Sequence, residues 1–322
     1  MTGGTGFIGS HLVEALLKKG VEVRCLVRRS SDLKWIEGLP VEFAWGDCTD
    51  RASLAEAVKG MDVVLHSAGV TKVVREESFF QVNAHGTENL IQACLDNAPH
   101  LQKFIYLSSQ AAAGPSLDGN RKTETDLCEP VSPYGRSKRM GEELALARSR
   151  QLPLVILRPS AIYGPRDRDI YVFFKFLSRR IHPCLSDPDQ RVSLCHVQDL
   201  VQAALLAGDT PTPQGEIFFV SDGQDYPFQD IGKTFARAMG VHAFRLCVPK
   251  WVLLGMASFS EYVSCVSKRP SLISRGKVAE MIQKNWVCDI TKARTVLGYK
   301  QSIGLLDGAR MTVDWYRNKN WL

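Results

Sequence analysis

The sequence lacks the cysteine patterns that define a disulfide framework or a zinc site. Its nine cysteines are odd in number and scattered, and no two form a Cys-x-x-Cys pair, so no metal site is expected. Cys25, Cys94 and Cys247 stand among apolar neighbours, which predicts reduced side chains in the core. No segment reads as a secretory signal, so we expect a cytoplasmic location, where thiols stay reduced.

Long runs of one charge and long apolar segments are missing as well. Forty Lys and Arg residues stand against 34 Asp and Glu residues without a long basic run, so no nucleic-acid partner is expected. The stretch Pro249–Val266 is apolar on one face, but Glu261 and several serines interrupt it, which argues against a transmembrane span. It predicts a lid or core helix, and a weak membrane-surface contact near 249–266 is the alternative. The structural interpretation of Trp251, Trp286 and Trp315 is that they are core anchors.

A glycine-rich turn leads into the first helix. Residues 2–9 read TGGTGFIG, where Gly3 allows a tight turn, Gly6 lets the backbone approach a pyrophosphate and Gly9 lets the helix pack closely. A helix that begins near Phe7 would direct free amides and the positive end of its dipole at that phosphate. Such spacings also occur in plain turns, but the apolar run at 11–17 favours a dinucleotide site.

A strand before this turn is missing from the sequence. Only Met1 and Thr2 precede Gly3, whereas a nucleotide-binding fold of this kind begins with a central parallel strand. Losing such a strand would remove about five buried side chains, each worth ~1.5–3 kcal/mol. That sum is comparable with a domain's whole stability of ~5–15 kcal/mol. We therefore expect the first strand to be truncated here and the native chain to start upstream of Met1, which intact-mass analysis of native protein tests.

A second pattern places a phenol and an ammonium on one helix face. Tyr134 and Lys138 are four residues apart, and Ser132 and Pro133 fit the N-cap and first position of their helix. Such a pair is ordinarily a surface contact. Its distance of about one βαβαβ half from the glycine-rich turn favours an active site instead.

The order of the motifs along the chain resembles the extended short-chain dehydrogenase/reductase superfamily, which holds the NAD-dependent epimerase/dehydratase and 3β-hydroxysteroid dehydrogenase-like enzymes. The resemblance covers nearly the whole length, and its C-terminal part is similar to the steroid dehydrogenase and dihydroflavonol reductase branch. The matching segments are Thr2–Gly9, Gly46-Asp47, His66-Ser67-Ala68-Gly69, Val82-Asn83 with Gly86-Thr87, Leu107-Ser108-Ser109, Tyr134-x-x-x-Lys138, Arg158-Pro159 with Tyr163-Gly164-Pro165, and His196-Val197-Gln198-Asp199.

Short apolar runs alternate with helical periodicity, which predicts an α/β fold with a Rossmann doubly wound parallel sheet and a smaller, interleaved C-terminal substrate lobe. We expect a nucleotide-binding domain over 1–158, to which 191–222 returns, and a mainly substrate-binding lobe over 159–322. The predicted strands are Val21–Val27, Val41–Trp45, Val63–His66, Phe104–Leu107, Leu154–Leu157 and Ile217–Val220, and the predicted helices include Gly9–Lys19, Arg51–Val58, Gly86–Leu95 and Tyr134–Arg148.

The resemblance implies a Ser-Tyr-Lys catalytic set. Tyr134 would be the general acid/base, and Lys138, with the positive nicotinamide ring, would lower the pKa of its phenol. Ser109 would hold the substrate oxygen, with its neighbour Ser108 as the rival assignment. The structural alternative is that Ser109 serves only as a capping or turn residue at the end of a strand.

The resemblance also implies the cofactor contacts. Lys138 would reach the nicotinamide ribose, Asp47 would bind the adenine amino group, and Asn83 would lie near the cofactor unless it caps the helix from Gly86. The full expected set is Gly3, Gly6, Phe7, Ile8, Gly9, Arg28, Asp47, Cys48, Ser67, Ala68, Gly69, Asn83, Tyr134, Lys138, Pro159 and Ser160.

The end of the second predicted strand lacks the acid that holds a ribose 2′-hydroxyl in NAD-preferring relatives. Arg28 and Arg29 stand there instead, and guanidinium groups suit a 2′-phosphate through bidentate, charge-assisted bonds. We therefore expect NADP(H) to be favoured over NAD(H). Two solvent-exposed arginines without a ligand are the alternative.

Three departures from the family pattern bear on the substrate. Gln110-Ala111 replaces the Asp-Glu pair of the dehydratases, which argues against dehydration. Ala112-Ala113-Gly114 replaces a Val-Tyr-Gly triplet of many epimerases, which predicts room for a bulky, apolar substrate. Val192 stands where those epimerases often have a phosphate-binding Arg, and Arg191 is one residue out, on the other face of an extended segment.

These features predict an oxidoreductase that interconverts a secondary alcohol and a ketone on a medium-sized, lipophilic substrate of steroid or flavonol type. The first alternative is a nucleotide-sugar epimerase that uses the same triad with retained NAD. A non-catalytic dinucleotide sensor is the second, although a binding module needs no such triad. Relatives of this kind often form homodimers, but the sequence indicates no particular interface.

Overall fold

The secondary structure alternates between short strands and helices over most of the chain, and the computed structural model describes residues 1–185, 189–271 and 273–322. The strands are β1 (Val23–Val27), β2 (Val41–Trp45), β3 (Val63–His66), β4 (Lys103–Leu107), β5 (Leu154–Pro159), β6 (Ala161–Tyr163), β7 (Ile181–Leu185), β8 (Arg191–Val192), β9 (Leu194–His196), β10 (Glu216–Val220), β11 (Tyr226–Pro227), β12 (Phe244–Val248) and β13 (Asn285–Trp286). The α-helices are α1 (Phe7–Lys18), α2 (Ala55–Val58), α3 (Glu77–Phe80), α4 (Gly86–Asn97), α5 (Gln110–Ala113), α6 (Pro133–Leu146), α7 (Tyr171–Ser178), α8 (Val197–Asp209), α9 (Phe228–Met239), α10 (Lys250–Ser267), α11 (Arg275–Met281), α12 (Thr291–Val296) and α13 (Leu305–Asn318). A 3₁₀ turn spans Arg51–Ser53, and a π-helical segment spans Gln81–His85.

The main sheet is parallel and runs in the spatial order β2-β1-β3-β4-β5-β10, with Thr2 bridging β1 at Leu26 and β3 at His66. Alternate residues of β4 pack on opposite faces of the sheet: Ile105 belongs to one hydrophobic core, and Phe104 belongs to another. Both faces are therefore covered, as parallel sheets require. The predicted doubly wound α/β fold is confirmed.

A cleft separates β1 from β3 on the side where Met1 lies. The ammonium group of Met1 donates to the Arg24 carbonyl at 2.6 Å, and the Thr2 amide donates to the Leu65 carbonyl at 3.0 Å. Burial lowers the pKa of this ammonium group. The cleft has a volume of about 140 Å³, and its lining includes apolar side chains of Leu16, Val23, Leu65, Ile105 and Leu205. The expectation of residues upstream of Met1 stays a prediction, as do the expected domain boundaries.

A separate core holds much of the C-terminal part, where α7, α9 and α13 pack together. Beside it, β7 pairs in parallel with β12, and Cys184 is joined to Cys247 by a disulfide across this pair. The prediction that Cys247 is a reduced core residue is therefore wrong, because β12 lies at the surface and brings its sulfur against that of Cys184. Cys25 and Cys94 are free and buried, as predicted.

The stretch around Pro249–Val266 forms one helix, α10, which packs on α11 through Leu253, Ala257 and Val278. Trp251 is 75% exposed, so its predicted role as a core anchor is wrong. Within the described ranges, no helix combines the length and apolar character that crossing a bilayer requires.

Candidate active site

The glycine-rich turn is closed by a hydrogen bond from the Gly6 amide to the Gly3 carbonyl at 3.0 Å. Gly3 adopts a φ of +72°, which side chains disfavour. A Cβ at Gly9 would lie 1.9 Å from the Gly3 carbonyl oxygen, and one at Gly3 would lie 2.7 Å from the Ala68 amide. The turn therefore needs glycine at both positions to bring α1 close to the end of β3.

The start of α1 fits the phosphates of a dinucleotide. The helix begins at Phe7 after an extended Gly6, and in the described part of the chain no side chain caps it. The exposed Gly6 therefore leaves the first amides of α1 and the positive end of its dipole to bind an anion. Ile8 turns back into the main core and fixes the direction of the helix.

The loop after β3 joins this turn to the predicted catalytic helix, α6. Gly69 is exposed, and a Cβ there would lie 3.1 Å from Asn83 Oδ1 and 3.9 Å from Lys138 Nζ. On the other side, the Ser67 amide bonds to the Thr2 carbonyl at 3.3 Å. The loop after β3 thus connects the glycine-rich turn with Asn83 and Lys138, and we call this group of residues, from Gly3 to Lys138, the cradle.

Asn83 is fully buried within the π-helical segment, and its amide holds two other elements in place. Its Oδ1 accepts from the Val70 amide at 2.8 Å, and its Nδ2 donates to the Val70 carbonyl at 3.1 Å and to Ser137 Oγ at 3.0 Å. The capping role considered for Asn83 is wrong, because its side chain bonds across to the loop after β3 and to α6. Its predicted proximity to the cofactor stays a prediction.

Tyr134 lies in the first turn of α6, whose start matches the predicted one. Ser132 Oγ accepts from the Gly135 amide at 2.9 Å, and Pro133 occupies the first turn. Ser109 acts to lower the pKa of the Tyr134 phenol, and it also caps α5 by accepting from the Ala111 amide at 3.1 Å. Ser109, rather than Ser108, is therefore the serine that influences Tyr134.

Burial raises the pKa of Tyr134 to about 12, while Ser109 acts in the lowering direction. This direction is opposite to the one expected from the nearby Lys138, because desolvation of the phenolate outweighs the other effects in the protein alone. The lowering expected for the protein with a bound nicotinamide ring stays a prediction.

Lys138 is buried one turn further along α6. Its Nζ donates to the Leu107 carbonyl at 2.8 Å and lies 4.4 Å from the ring centre of Tyr106. Burial lowers the pKa of this ammonium to about 7, and the nearby Glu142 opposes that shift. Glu142 in turn forms a buried ion pair with Arg158, in which Glu142 Oε2 lies 2.7 Å from Arg158 Nη2. This ion pair holds α6 against β5.

The ends of β4 and β5 carry polar atoms that have no partner among the described residues. These atoms are Ser108 Oγ, Gln110 Nε2 and Ser160 Oγ, and all are buried. Pro159, the last residue of β5, pairs with Val220 beside them. Unsatisfied buried groups at the carboxyl edge of a parallel sheet are typical of a ligand site. Gln110 was not expected here, since the sequence indicated only that it replaces a dehydratase acid.

The other end of the cradle lies at β1 and β2. Arg28 is exposed, and its Nη1 lies 3.9 Å from Asp47 Oδ2, so the two predicted adenosine contacts are neighbours. Arg29 instead lies over the Trp45 ring, 6.0 Å from its centre. Cys48 is buried, and burial raises the pKa of its thiol to about 12.

Two other residues near Tyr134 gave no signal in the sequence. Glu280 of α11 accepts a hydrogen bond from Ser132 Oγ at 2.5 Å and acts to raise the pKa of Tyr134. The Phe79 ring meets the Tyr134 ring edge-on at 6.0 Å. Both are distant from Tyr134 along the chain, so only the folded structure brings them together.

The structure corrects one expectation about the substrate pocket. Ala112 and Ala113 are completely buried, and Ala113 is part of the main core, so their small side chains do not open the expected space. Gly114 has a φ of +82°, and a Cβ there would lie 2.1 Å from the Glu129 carbonyl oxygen. This triplet is therefore a close-packed turn.

The fold and the cradle define a class of protein: nucleotide-binding α/β enzymes of the extended short-chain dehydrogenase/reductase type. A model of the NAD-dependent epimerase/dehydratase family matches residues 1–221. The chain belongs to this family of nicotinamide-dependent oxidoreductases, epimerases and dehydratases.

Individual relatives differ in their substrates. The chain is 33% identical to a ceramide reductase of Caulobacter vibrioides, over 100% of this chain and 95% of that protein. It is 29% identical to 3 beta-hydroxysteroid dehydrogenase type 7 of Mus musculus, over 98% of this chain and 94% of that protein. The crystal structure of a UDP-glucose 4-epimerase from Thermotoga maritima shares the fold, with a TM-score of 0.81, 22% identity and coverage of 99% and 98% of the two chains.

Proposed function

We propose that this enzyme interconverts a secondary alcohol and a ketone on a lipophilic substrate, with Ser109, Tyr134 and Lys138 as its catalytic residues. The observation that carries this proposal is the grouping of Ser109 at the end of β4 with Tyr134 and the buried Lys138 on α6, where Lys138 Nζ donates to the Leu107 carbonyl at 2.8 Å. A nicotinamide cofactor supplies or accepts the hydride when bound.

Each side chain has one task in this proposal. Ser109 donates a hydrogen bond to the substrate oxygen, which stabilises the negative charge that develops there. The Tyr134 hydroxyl transfers a proton to or from the same oxygen. Lys138 favours the charged phenolate and reaches the nicotinamide ribose. In the protein alone the raised pKa of Tyr134 keeps the phenol protonated at neutral pH, and Lys138 with a bound nicotinamide ring acts against this effect of burial.

For the cofactor, we propose NADP(H) rather than NAD(H). The exposed Arg28 guanidinium at the end of β1 would hold the 2′-phosphate, while Asp47 beside it binds the adenine amino group. The expected contacts of Cys48, Ser67, Ala68, Pro159 and Ser160 belong to the same proposal.

A lipophilic substrate is favoured by the chain's own departures from the sugar-converting pattern. Val192 stands in place of the expected arginine, and Arg191 is exposed in β8. Ceramide and steroids, named for two relatives, are lipids. The epimerase alternative keeps support from the sugar-nucleotide enzyme with the same fold.

The remaining parts of the proposal concern partners and location. A small molecule is the proposed partner, and a homodimer stays a prediction. The cytoplasmic location also stays a prediction, and the Cys184–Cys247 disulfide is unusual for that compartment.

The test measures nicotinamide absorbance while the purified enzyme is incubated with NADP or NAD. The candidate substrates are ceramide-type alcohols, steroid alcohols and UDP-sugars. We expect net reduction of NADP by a lipophilic alcohol. Sugar conversion without net absorbance change would establish the epimerase instead. Tyr134→Phe should lower kcat by at least ~10²-fold with cofactor binding retained, whereas Thr295→Val, which removes an exposed hydroxyl on α12, serves as the control. Full catalytic activity of Tyr134→Phe would overturn the proposed roles, whereas a biological activity that survives in Tyr134→Phe with cofactor still bound would favour the sensor.

A further inference from the structure

The helix α10 carries its large apolar side chains on its solvent side. Trp251, Phe259, Tyr262 and Val266 are 75%, 70%, 70% and 71% exposed, and their spacing of three, four or eight residues places them along one face. Met256 and Val263 flank this stripe and are also exposed. We call these six side chains the apolar face of α10.

The opposite side of α10 packs against the rest of the protein. Leu253, Ala257 and Ser264 are buried there, and the contact with α11 is completed by Val278. The side that packs is thus made of smaller residues than the side that faces water. Since large contiguous apolar surfaces are uncommon on monomers, the apolar face of α10 marks a site of interaction.

The charges around this face identify its partner. Lys250 stands at the first turn of α10, and Lys268 and Arg269 follow its last turn, all three exposed. Glu261 is the helix's acidic residue, and its carboxylate is paired with Arg275 at 3.3 Å. Tryptophan, tyrosine and lysine side chains around an apolar stripe match the boundary between lipid headgroups and acyl chains.

We propose that the apolar face of α10 docks on the surface of a bilayer that contains anionic lipid. The helix lies in the interface, the apolar side chains enter the boundary of the acyl chains, and Lys250, Lys268 and Arg269 contact lipid phosphates. This inference goes beyond the proposed reaction, and its test does not depend on activity.

The position of α10 gives this docking a consequence for the active site. Its partner helix, α11, packs against the beginning of α6: Glu280 accepts from Ser132 Oγ, and a Cβ at Gly276 would lie 2.8 Å from Pro133 Cδ. Tyr134 follows Pro133 directly. α11 therefore contacts both the docked helix α10 and the start of the helix that carries Tyr134, which brings the proposed bilayer close to the active site.

The test measures co-sedimentation of the full chain with vesicles of phosphatidylcholine alone or mixed with phosphatidylglycerol. We expect binding to the mixed vesicles that weakens as salt is added. The double variant Trp251→Ser, Phe259→Ser should bind them at least about tenfold more weakly, because two large side chains no longer enter the lipid. Lys268→Glu with Arg269→Glu should remove most of the preference for the anionic vesicles.

A matched control uses apolar residues that are equally exposed elsewhere. Leu117 and Leu127 are 70% and 77% exposed, so Leu117→Ser with Leu127→Ser should leave vesicle binding unchanged. Circular dichroism and urea unfolding establish that each variant is folded. No binding of the folded wild type to either vesicle, or equal binding by the Trp251→Ser, Phe259→Ser variant, would overturn the proposal.

A second copy of the chain is the competing occupant. Sedimentation velocity without vesicles tests this alternative. If the wild type is a dimer that does not bind vesicles, and the Trp251→Ser, Phe259→Ser variant is a monomer, the apolar face of α10 serves self-association and docking on lipid is overturned. Because Tyr134→Phe should bind vesicles as the wild type does, failure of the proposed chemistry would leave this result intact.

Discussion

Thr2 Oγ1 lies 2.7 Å from His66 Nδ1, and this contact ties the glycine-rich turn to the end of β3. It is one link in a buried chain of hydrogen bonds. The Ala68 amide donates to Thr2 Oγ1 at 3.1 Å, His66 Nε2 lies 2.9 Å from Thr87 Oγ1, and Thr87 donates to the Asn83 carbonyl at 2.8 Å. Because the Thr87 hydroxyl donates to the Asn83 carbonyl, Thr87 Oγ1 accepts the proton of His66 Nε2–H. His66 Nδ1 therefore carries no proton in the neutral ring and accepts from the Thr2 hydroxyl.

Removing the first link should destabilise the protein. In Thr2→Val the shape is kept, but His66 Nδ1 loses its donor while buried, which costs ~1–3 kcal/mol. Urea unfolding at neutral pH measures the change. Thr295→Val, on the exposed surface of α12, is the control and should differ from the wild type by less than about 0.5 kcal/mol. Equal stability of Thr2→Val and Thr295→Val would contradict the proposed direction of these bonds.

The same network predicts an effect of pH. Burial lowers the pKa of His66 from 6.5 to about 3. Between these values the unfolded chain binds a proton at His66 that the folded protein does not, so this residue makes the free energy of unfolding fall as pH falls, by ~1.4 kcal/mol per pH unit. Nitrogen-15 NMR of the ring should show a proton on Nε2 and none on Nδ1 down to about pH 4. Titration of the folded protein's His66 near its ordinary pKa would refute this.

The glycine-rich turn predicts a sharp contrast between two substitutions. A Cβ at Gly9 would lie 1.9 Å from the Gly3 carbonyl oxygen, so Gly9→Ala should displace the turn and weaken cofactor binding by at least about tenfold. Gly255, within α10, has open space where a Cβ would lie, so Gly255→Ala should stabilise the protein by ~0.5–1 kcal/mol. Calorimetric titration with NADPH and thermal unfolding compare the two. Unchanged cofactor affinity in Gly9→Ala would contradict the close approach.

In the proposed cofactor site, the preference for NADP(H) depends on Arg28. Arg28→Ala should weaken binding of NADPH by about tenfold or more through loss of a charge-assisted contact, and leave binding of NADH nearly unchanged. Arg51→Ala removes another exposed arginine, paired with Asp96 at 3.0 Å, and should affect neither cofactor. Dissociation constants for both cofactors measure this. Tighter binding of NADH than NADPH by the wild type would defeat the proposed preference.

The sequence predicted the main elements well because their signals are local. β2 and β3 have the predicted bounds, α6 begins at the predicted proline, and α1 begins at the predicted Phe7. An apolar run, a capping serine or a glycine spacing acts on residues that are close together in the chain, so each can be recognised from the sequence alone.

Features that depend on distant packing were not predictable in this way. The pKa of Tyr134 is raised because the folded protein buries the phenol, which no neighbour in the sequence reports. Ala112 and Ala113 line the core rather than an open pocket, since the sequence shows side-chain size and not what packs against it. Cys184 and Cys247 are 63 residues apart and meet through the pairing of β7 with β12.

That disulfide also changes how the molecule would respond to mechanical force. The segment that it closes contains α8 and β10, an edge strand of the main sheet, although both cysteines lie in the separate β7–β12 pair. A pull on the two ends of the chain would pass through the sulfur–sulfur bond and bypass the enclosed segment. The stretched contour of the oxidised protein would therefore be shorter than that of the reduced protein, and a strand of the nucleotide-binding sheet would remain inside an unextended loop.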